Sequence, residues 1–557
     1  MRSRREGFGL MALLAGLVVV CGCHHGSSIE PDAGTGDAAA GRACRQLPAG
    51  ERNGAGPVPV LSDPAFATRP PNWGVDPAQV TVTTLVVGGR TLHVLRFPVT
   101  TFDQRFGRPW VHPVVVIAPD PTNLVGTDVA AFGAALGETM NPVGPGDDDP
   151  TWGTLHPDWF AGTDTQEHDL QTFGSVAVER GIPYVAAEVV PAEIQLDVAL
   201  VADIQALLAA NSDPCDDGEC AGPITADDQK MACLIRAVFA REDLAYDPYI
   251  NLAVAQARII DAAERVLAGY YEALGAPVPL EWTRVWTIGS SKRGHTQRFA
   301  AAVDARIAGV MVSAADISNL TRFASWELAL WTGAYSFGMD SLAALMATPF
   351  GQTYRAAVDP FAWRPEVLHG VFFVLAVGTR DPLYPLGACL GYVETLPPDR
   401  RLLLVPNYGH GRGTVDHAAV FRALVDHGLN GTSWPTVDAR WDVDRNVVQA
   451  AVVGGEAAAV ELWCTTGLAA NDRVIDTLPD CSLAAMPAAD DTDLRDATWE
   501  RFPMTARGGG QWEATPPATA LSYPACLVRA HTADEQVATS VPLFSAPLCA
   551  AYDLPLE

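Results

Sequence analysis

The chain is short of positive charge. Its 557 residues carry 37 Lys and Arg against 65 Asp and Glu, a formal net charge of -28. Such an excess of carboxylates repels nucleic acid and anionic headgroups, which argues against both as partners and leaves solubility in an exposed compartment as the reading of the charge. No Cys/His spacing resembles a zinc site, and nothing in the sequence asks for a metal or a cofactor. The apolar run Leu10 to Val20 is too short to span a bilayer as a mature helix. Length, by contrast, is in excess of what one compact core uses, so two folded units are expected. With 48% hydrophobic and 18% charged residues the composition is globular, and 42 prolines and 49 glycines predict many loops.

The short apolar run is a targeting segment. Arg2, Arg4 and Arg5 precede it, and it leads into Val20-Cys21-Gly22-Cys23. A small residue directly before a cysteine, with an aliphatic residue three before it, resembles a bacterial lipoprotein signal. Cys23 is then the lipidated first residue; Cys21 fits less well because Val20 precedes it, and an ordinary secretory signal cleaved nearby is the competing reading. His24 stands where an aspartate would retain such a protein at the inner membrane, so an outer-membrane location follows, with the lipid as the sole membrane contact. Nine cysteines lie beyond the signal: Cys44, Cys215, Cys220, Cys233, Cys389, Cys464, Cys481, Cys526 and Cys549. In an exported chain they can form disulfides, and proximity suggests Cys215–Cys220, Cys464–Cys481 and Cys526–Cys549.

Residues 1–23 are therefore the signal and 24–80 a flexible tether with an N-terminal extension. Over 81–434, strand-length apolar runs alternate with amphipathic ones. The strands are "TLVVGG", "HPVVVIAPD", "IPYVAAEVV", "RVWTIGS", "IAGVMVSAAD", "VFFVLAVGTRD" and "RLLLVPN"; helices are expected at 170–180, 252–274, 294–302 and 415–427. Continuous β-branched runs mark parallel strands covered on both faces, hence an α/β class with a mostly parallel, doubly wound sheet. The aromatic-rich segment at about 319–363 is expected to form a helical cap. From 435 to 557, short strand-like runs divided by turns read as an all-β sandwich-like domain.

Chemistry concentrates at "VWTIGSSKRGHT", where a strand runs through Gly289-Ser290-Ser291-Lys292-Arg293-Gly294 into a helix. Such a turn lifts a serine above the sheet edge, and the helix N-terminus behind it offers N–H groups to an oxyanion. Ser291 has Gly289 two before it, but Arg293 occupies the position where Gly-x-Ser-x-Gly has its second glycine, and Gly294 follows one later. Ser290 is the other candidate, with no glycine two before it or two after it. A nucleophile needs a base and a carboxylate to orient it. Asp381 follows one late strand and His410 the next, giving the chain order Ser291, Asp381, His410 of an α/β-hydrolase. Asp316 is a rival acid or a cap anchor, Asp359 a turn residue, and His417 a residue of the following helix. The Lys292 backbone N–H supplies one oxyanion donor, and "VVVIAPDPTN" is the candidate loop for the second. Arg293 either pairs beneath the turn, with Glu242 or Asp243, or faces the pocket and binds a substrate carboxylate.

"GSSKRGHT", "AAVDARIAGVM", "VGTRDPLYP" and "VPNYGH" together resemble the PhoPQ-activated pathogenicity-related protein family, also grouped with autocrine proliferation repressor proteins. "RPWVH", with Trp110 and His112, and "REDLAY" resemble its upstream segments, and "VELWC" with "NDRV" its β domain. The family's elbow reads Gly-Ala-Ser-Lys-Arg-Gly-Trp, so Arg293 fits the family pattern while His295 replaces the tryptophan. The resemblance implies an exported α/β-hydrolase with a peptidase-like sheet and a C-terminal β-sandwich, with Ser291, Asp381 and His410 as the triad. The expectation is a serine hydrolase, esterase or peptidase, acting on a small-molecule or peptide substrate. The competing expectations are a non-catalytic surface-anchored signalling or binding protein on the same scaffold, and a carbohydrate-binding protein using Trp463.

Overall fold

The computed structural model describes residues 74–87, 89–102, 110–135, 176–191, 193–211, 220–225, 227–315, 318–320, 341–379, 399–409, 415–442, 445–465, 498–516, 525–533 and 536–544, with a few isolated positions such as Asp381. The signal, Cys23 and His410 lie outside the described residues.

Nine strands form the central sheet in the order β1-β2-β3-β5-β4-β8-β9-β10-β11. They are β1 (Thr81–Val87), β2 (Arg90–Phe102), β3 (Trp110–Pro119), β4 (Val129–Ala135), β5 (Tyr184–Glu188), β8 (Arg284–Ser290), β9 (Ile307–Ser313), β10 (Phe372–Gly378) and β11 (Arg400–Val405); β6 (Ile194–Gln195) and β7 (Pro223–Ile224) pair separately. The first three strands and the β3–β5 pair are antiparallel, and every later pairing is parallel. The strand runs expected from sequence match β1, β3, β5, β8, β9, β10 and β11. β2 and β4 are additions. β4, "VAAFGAA", is alanine-rich and weak in β-propensity. It is nonetheless central, because Gly133 leaves room for the Tyr184 hydroxyl of its neighbour.

Both faces of the sheet are covered, and the two-residue period of the strands sorts their side chains between two buried clusters. Val310, Val312, Phe373, Leu375, Val377 and Leu404 point into one, which also takes the helices Pro248–Ala273 and Lys292–Val303. Met311, Phe372, Val374, Ala376, Leu403 and Val405 point into the other, against the helix Val415–Asn430. This is the doubly wound α/β-hydrolase arrangement, with the strand order exchanged at β5-β4.

Part of the segment expected to cap the sheet is described. Its helix Pro349–Val358 sends Tyr354 to the Asp247 carboxylate at the start of the helix Pro248–Ala273, and Trp363 packs edge-on against Phe299. Asp359 ties the segment's beginning to its end, its carboxylate accepting from the N–H groups of Asn319, Leu320 and Phe361.

The C-terminal strands form two antiparallel sheets. One has the order β12 (Thr436–Asp442), β13 (Val447–Val453), β17 (Gln511–Ala514), β16 (Thr505–Gly508). The other has β15 (Trp499–Pro503), β14 (Ala457–Thr465), β18 (Ala525–Thr532) and β19 (Val537–Thr539), with β20 (Leu543–Phe544) paired to β18. Val448, Ala450, Val452, Val460, Leu462, Val528 and Ala530 share a core of their own, at the alternate positions that a sandwich requires.

Two disulfides join described residues, Cys220–Cys233 and Cys464–Cys526. They replace the pairings expected from spacing, because partners are set by the fold: Cys464 and Cys526 face each other across β14 and β18, although 62 residues separate them. Disulfides fit an exported chain in an oxidising compartment. Among the described residues no helix is long and apolar enough to cross a membrane, and no three His, Cys, Asp or Glu side chains gather as a metal site.

Candidate active site

β8 ends at Ser290, and Ser291 is the single residue between that strand and the helix Lys292–Val303. Its backbone is bent sharply, with φ 55° and ψ -134°, a conformation that L-residues avoid. Two bonds hold it there: the Ser291 N–H donates to the Ser313 carbonyl of β9, and its own carbonyl accepts from the His295 N–H. Ser291 is partly exposed while Ser290 is buried, which favours Ser291 as the reactive hydroxyl.

The glycine spacing has a direct explanation. A Cβ on Gly289 would lie 2.5 Å from the Arg293 carbonyl oxygen, and one on Gly294 would lie 2.8 Å from the carbonyl oxygens of both Gly289 and Ser313. The first helical turn therefore packs back onto the strand end through these two positions. Arg293 enters this contact through its backbone carbonyl, while its long side chain is directed to Glu188.

That side chain is fully buried and paired. The Arg293 guanidinium donates from Nη2 to Glu188 Oε1 at 2.6 Å and from Nε to the same oxygen at 3.2 Å. Glu188 is the last residue of β5, and its Oε1 also accepts from the Val190 N–H. The expected partners, Glu242 and Asp243, are not the ones used; the Asp243 carboxylate instead caps the Ala245 N–H. Sequence reasoning missed Glu188, although a carboxylate closing the otherwise apolar "YVAAE" carried the signal, since such a charge is not buried unpaired. Behind it lies His112, whose Nδ1 bonds the Glu188 carbonyl and whose Nε2 bonds the Thr101 hydroxyl. Burial lowers the His112 pKa to about 4, so the ring is neutral. His295, one turn into the helix, is also held neutral by burial and by the nearby Arg298 charge, and it packs edge-on against Tyr249.

The ends of β8, β9 and β10 are level, with Ser290 opposite Ser313 and Ser313 opposite Ala376. At the usual strand spacing this sets the elbow roughly 10 Å from β10. Two residues further on β10 ends at Gly378, and Asp381 follows, buried, its N–H donating to the Gly378 carbonyl. Over Gly378 runs the turn that leaves β11. A Cβ there would lie 2.5 Å from the Gly409 carbonyl oxygen and would also strike that of Tyr408. The Asn407 N–H donates to the Thr379 hydroxyl in the same place. The turn that carries the chain to position 410 is thus laid against the one that carries Asp381.

Three of the six non-glycine residues with positive φ among those described, Ser291, Ala314 and Asn407, come within two residues of strand ends at this edge. Clustered backbone strain marks functional sites. Of the rivals, Asp359 is fully buried as the anchor described above, with burial raising its pKa. His417 is buried with its Nε2 on the Ser313 hydroxyl, so it braces the back of the elbow. Asp316 lies outside the described residues.

The expected second oxyanion loop is misplaced. β3 runs antiparallel to β5 with Ile117 opposite Tyr184, so the loop after Pro119 emerges at the far edge of the sheet. The strand that does end at the right edge is β4, where Ala134 lies opposite Gly289.

Among solved structures, acetyl xylan esterase 1 from Thermoanaerobacterium sp. is 16% identical, covering 66% of this chain and 90% of that chain, with a TM-score of 0.32. The glucuronoyl esterase from Solibacter usitatus is 11% identical over 69% of this chain and 88% of that chain, with a TM-score of 0.35. A puromycin hydrolase is 14% identical over 62% of this chain and 39% of that chain, with a TM-score of 0.30. At these TM-scores the fold assignment rests on strand order and the elbow rather than on superposition. None of the curated proteins compared with the chain matches it. Residues 253–473, which span the elbow, Asp381 and the first strands of the β-sandwich, match the family model of the PhoPQ-activated pathogenicity-related protein, so the family resemblance carried by the elbow extends over that part of the chain.

Proposed function

We propose that this chain is an exported serine hydrolase that cleaves an ester or an amide through an acyl-enzyme. Ser291 Oγ attacks the substrate carbonyl carbon as His410 takes its proton, and Asp381 holds the imidazole in the tautomer that can do so. The tetrahedral oxyanion is met by the Lys292 N–H at the helix N-terminus. Collapse breaks the bond to the alcohol or amine, which leaves with the proton returned by His410. Water, deprotonated by the same histidine, then splits the acyl-serine ester and frees the acid. Gly289, Arg293 and Gly294 support the elbow. Cys23 carries the lipid that anchors the chain at the outer membrane, and the substrate is a small molecule or a peptide.

The observation that carries the reading is the backbone of Ser291, held at φ 55° and ψ -134° between two glycines whose Cβ positions are already occupied. A turn with only a structural duty has no reason to keep a strained serine there. Labelling by a fluorophosphonate probe tests it. The wild type should be labelled and Ser291→Ala should not, with Asp381→Asn and His410→Ala each slowing labelling by about 10³-fold or more. Equal labelling of wild type and Ser291→Ala removes the reading and leaves a binding protein on a hydrolase scaffold.

A further inference from the structure

We propose that the C-terminal β-sandwich is a working part of the hydrolase site, because it fixes the turn after β11, and that Asn407 is the positioning residue. The inference rests on the reading above, in which the base follows this turn three residues after Asn407.

β11 is the edge strand of the central sheet, and an uncovered edge leaves a row of N–H and C=O groups without strand partners. Among the described residues, side chains of two residues, Thr539 and Asn407, hydrogen-bond the β-sandwich to β11 and to the turn after it. The Leu404 N–H donates to the Thr539 hydroxyl of β19 at 3.0 Å. Beyond the strand, the Asn407 side chain makes two hydrogen bonds to one residue of β15: its Oδ1 accepts from the Trp499 N–H at 2.7 Å, and its Nδ2 donates to the Trp499 carbonyl at 2.9 Å.

The second contact differs in kind from domain glue. Asn407 has φ 60°, a conformation that asparagine tolerates better than most residues. Its own N–H is fixed to Thr379, between Gly378 and Asp381, so one residue links the acid's loop, the base's turn and the β-sandwich. An amide bonded through both its donor and its acceptor cannot rotate, so the turn is held in orientation as well as in place. The anchor is equally firm. The Trp499 ring is buried in the cluster that contains Phe373, Leu375 and Val377 of β10, not in the sandwich's own core. On β14, Thr465 pairs with Trp499, and the adjacent Cys464 is linked by disulfide to β18.

Displacing a catalytic group by about 1 Å costs on the order of 100-fold in rate, so losing the amide should be read in kcat. In the full chain, Asn407→Gly removes the side chain and keeps the left-handed backbone accessible. With 4-nitrophenyl acetate as probe, kcat should fall about 10- to 100-fold while KM stays within about twofold. Hydrogen exchange of the peptide spanning 400–409 should quicken while the elbow peptide 285–303 is unchanged. Thr539→Val breaks the other contact, on the strand rather than on the turn, and should leave kcat within about twofold. If Asn407→Gly turns over the probe at the wild-type rate, or if Thr539→Val loses as much kcat, the positioning role is wrong and the β-sandwich is merely attached. If Ser291→Ala hydrolyses the probe as fast as wild type, the hydrolase reading falls first and takes this inference with it.

Discussion

Remove the Glu188 carboxylate, and the Arg293 guanidinium beneath the elbow loses a buried ion-pair partner. The two side chains are 8% and 0% exposed and meet at 2.6 Å, so neither has water to fall back on. At an effective dielectric constant of about 20, charges about 4 Å apart attract by roughly 4 kcal/mol. Breaking one side of a buried pair costs about 3–5 kcal/mol. Glu188→Gln and Arg293→Met should each destabilise the protein by about that amount. The double variant should cost far less than the sum, since two neutral side chains leave no buried charge, and the coupling energy should reach about 3 kcal/mol. Urea unfolding followed by tryptophan fluorescence reads all four corners of the cycle through their midpoints. In the single variants that remain folded, Arg293 can no longer hold the first helical turn against β5, so fluorophosphonate labelling of Ser291 should also slow. Single variants costing under about 1 kcal/mol, or strictly additive costs, would refute the reasoning and leave the pair without a net role in stability.

Three further perturbations probe other parts of the fold. Ala314 has φ 44° beside the elbow, so Ala314→Gly should stabilise by about 0.5 kcal/mol or more, and a lower urea midpoint would contradict the assigned strain. Burial raises the Asp247 pKa to about 7, against hydrogen bonds from Ile250, Tyr354 and Tyr249 that lower it. Between about pH 4 and pH 7 the unfolded chain has released this proton while the folded one keeps it, so stability falls as pH rises, by up to about 4 kcal/mol. His112 acts oppositely, its contribution being lost as pH falls from about 6.5 to about 4. Comparing Asp247→Asn with wild type cancels the histidine: the two should be alike near pH 4 and the variant the more stable at pH 8, and parallel pH profiles would refute the assignment. Finally, Cys464–Cys526 closes a 62-residue separation and Cys220–Cys233 one of 13. Replacing the first pair by alanine should therefore cost about 4 kcal/mol and the second about 3, and the reverse order in thermal or urea midpoints would tell against loop entropy as the cause.

What could be read in the sequence followed a physical rule. Strands β8 to β11 were legible because each is a continuous buried run, and a run that must be apolar on both faces has few ways to be written. β4 escaped because "VAAFGAA" sits where neighbours crowd it, and small residues chosen for space have no strand signature. The elbow was legible as a turn, but its glycine spacing could be explained only by knowing what lies 2.5 Å from Gly289. Arg293 was legible as an anomaly, whereas its partner needed the sheet order, since Glu188 lies 105 residues earlier in sequence and two strands away. The Cys464–Cys526 disulfide and the Asn407–Trp499 contact fail the same way, joining residues 62 and 92 positions apart. Local chemistry names the candidate nucleophile; the charges and amides that hold it and its neighbours in place come from distant strands. For this chain the supports of the site therefore lie at the strand ends of the central sheet and in β15, and a search for residues that tune its activity should begin with Glu188, Thr379, Asn407 and Trp499 rather than with the sequence neighbours of Ser291.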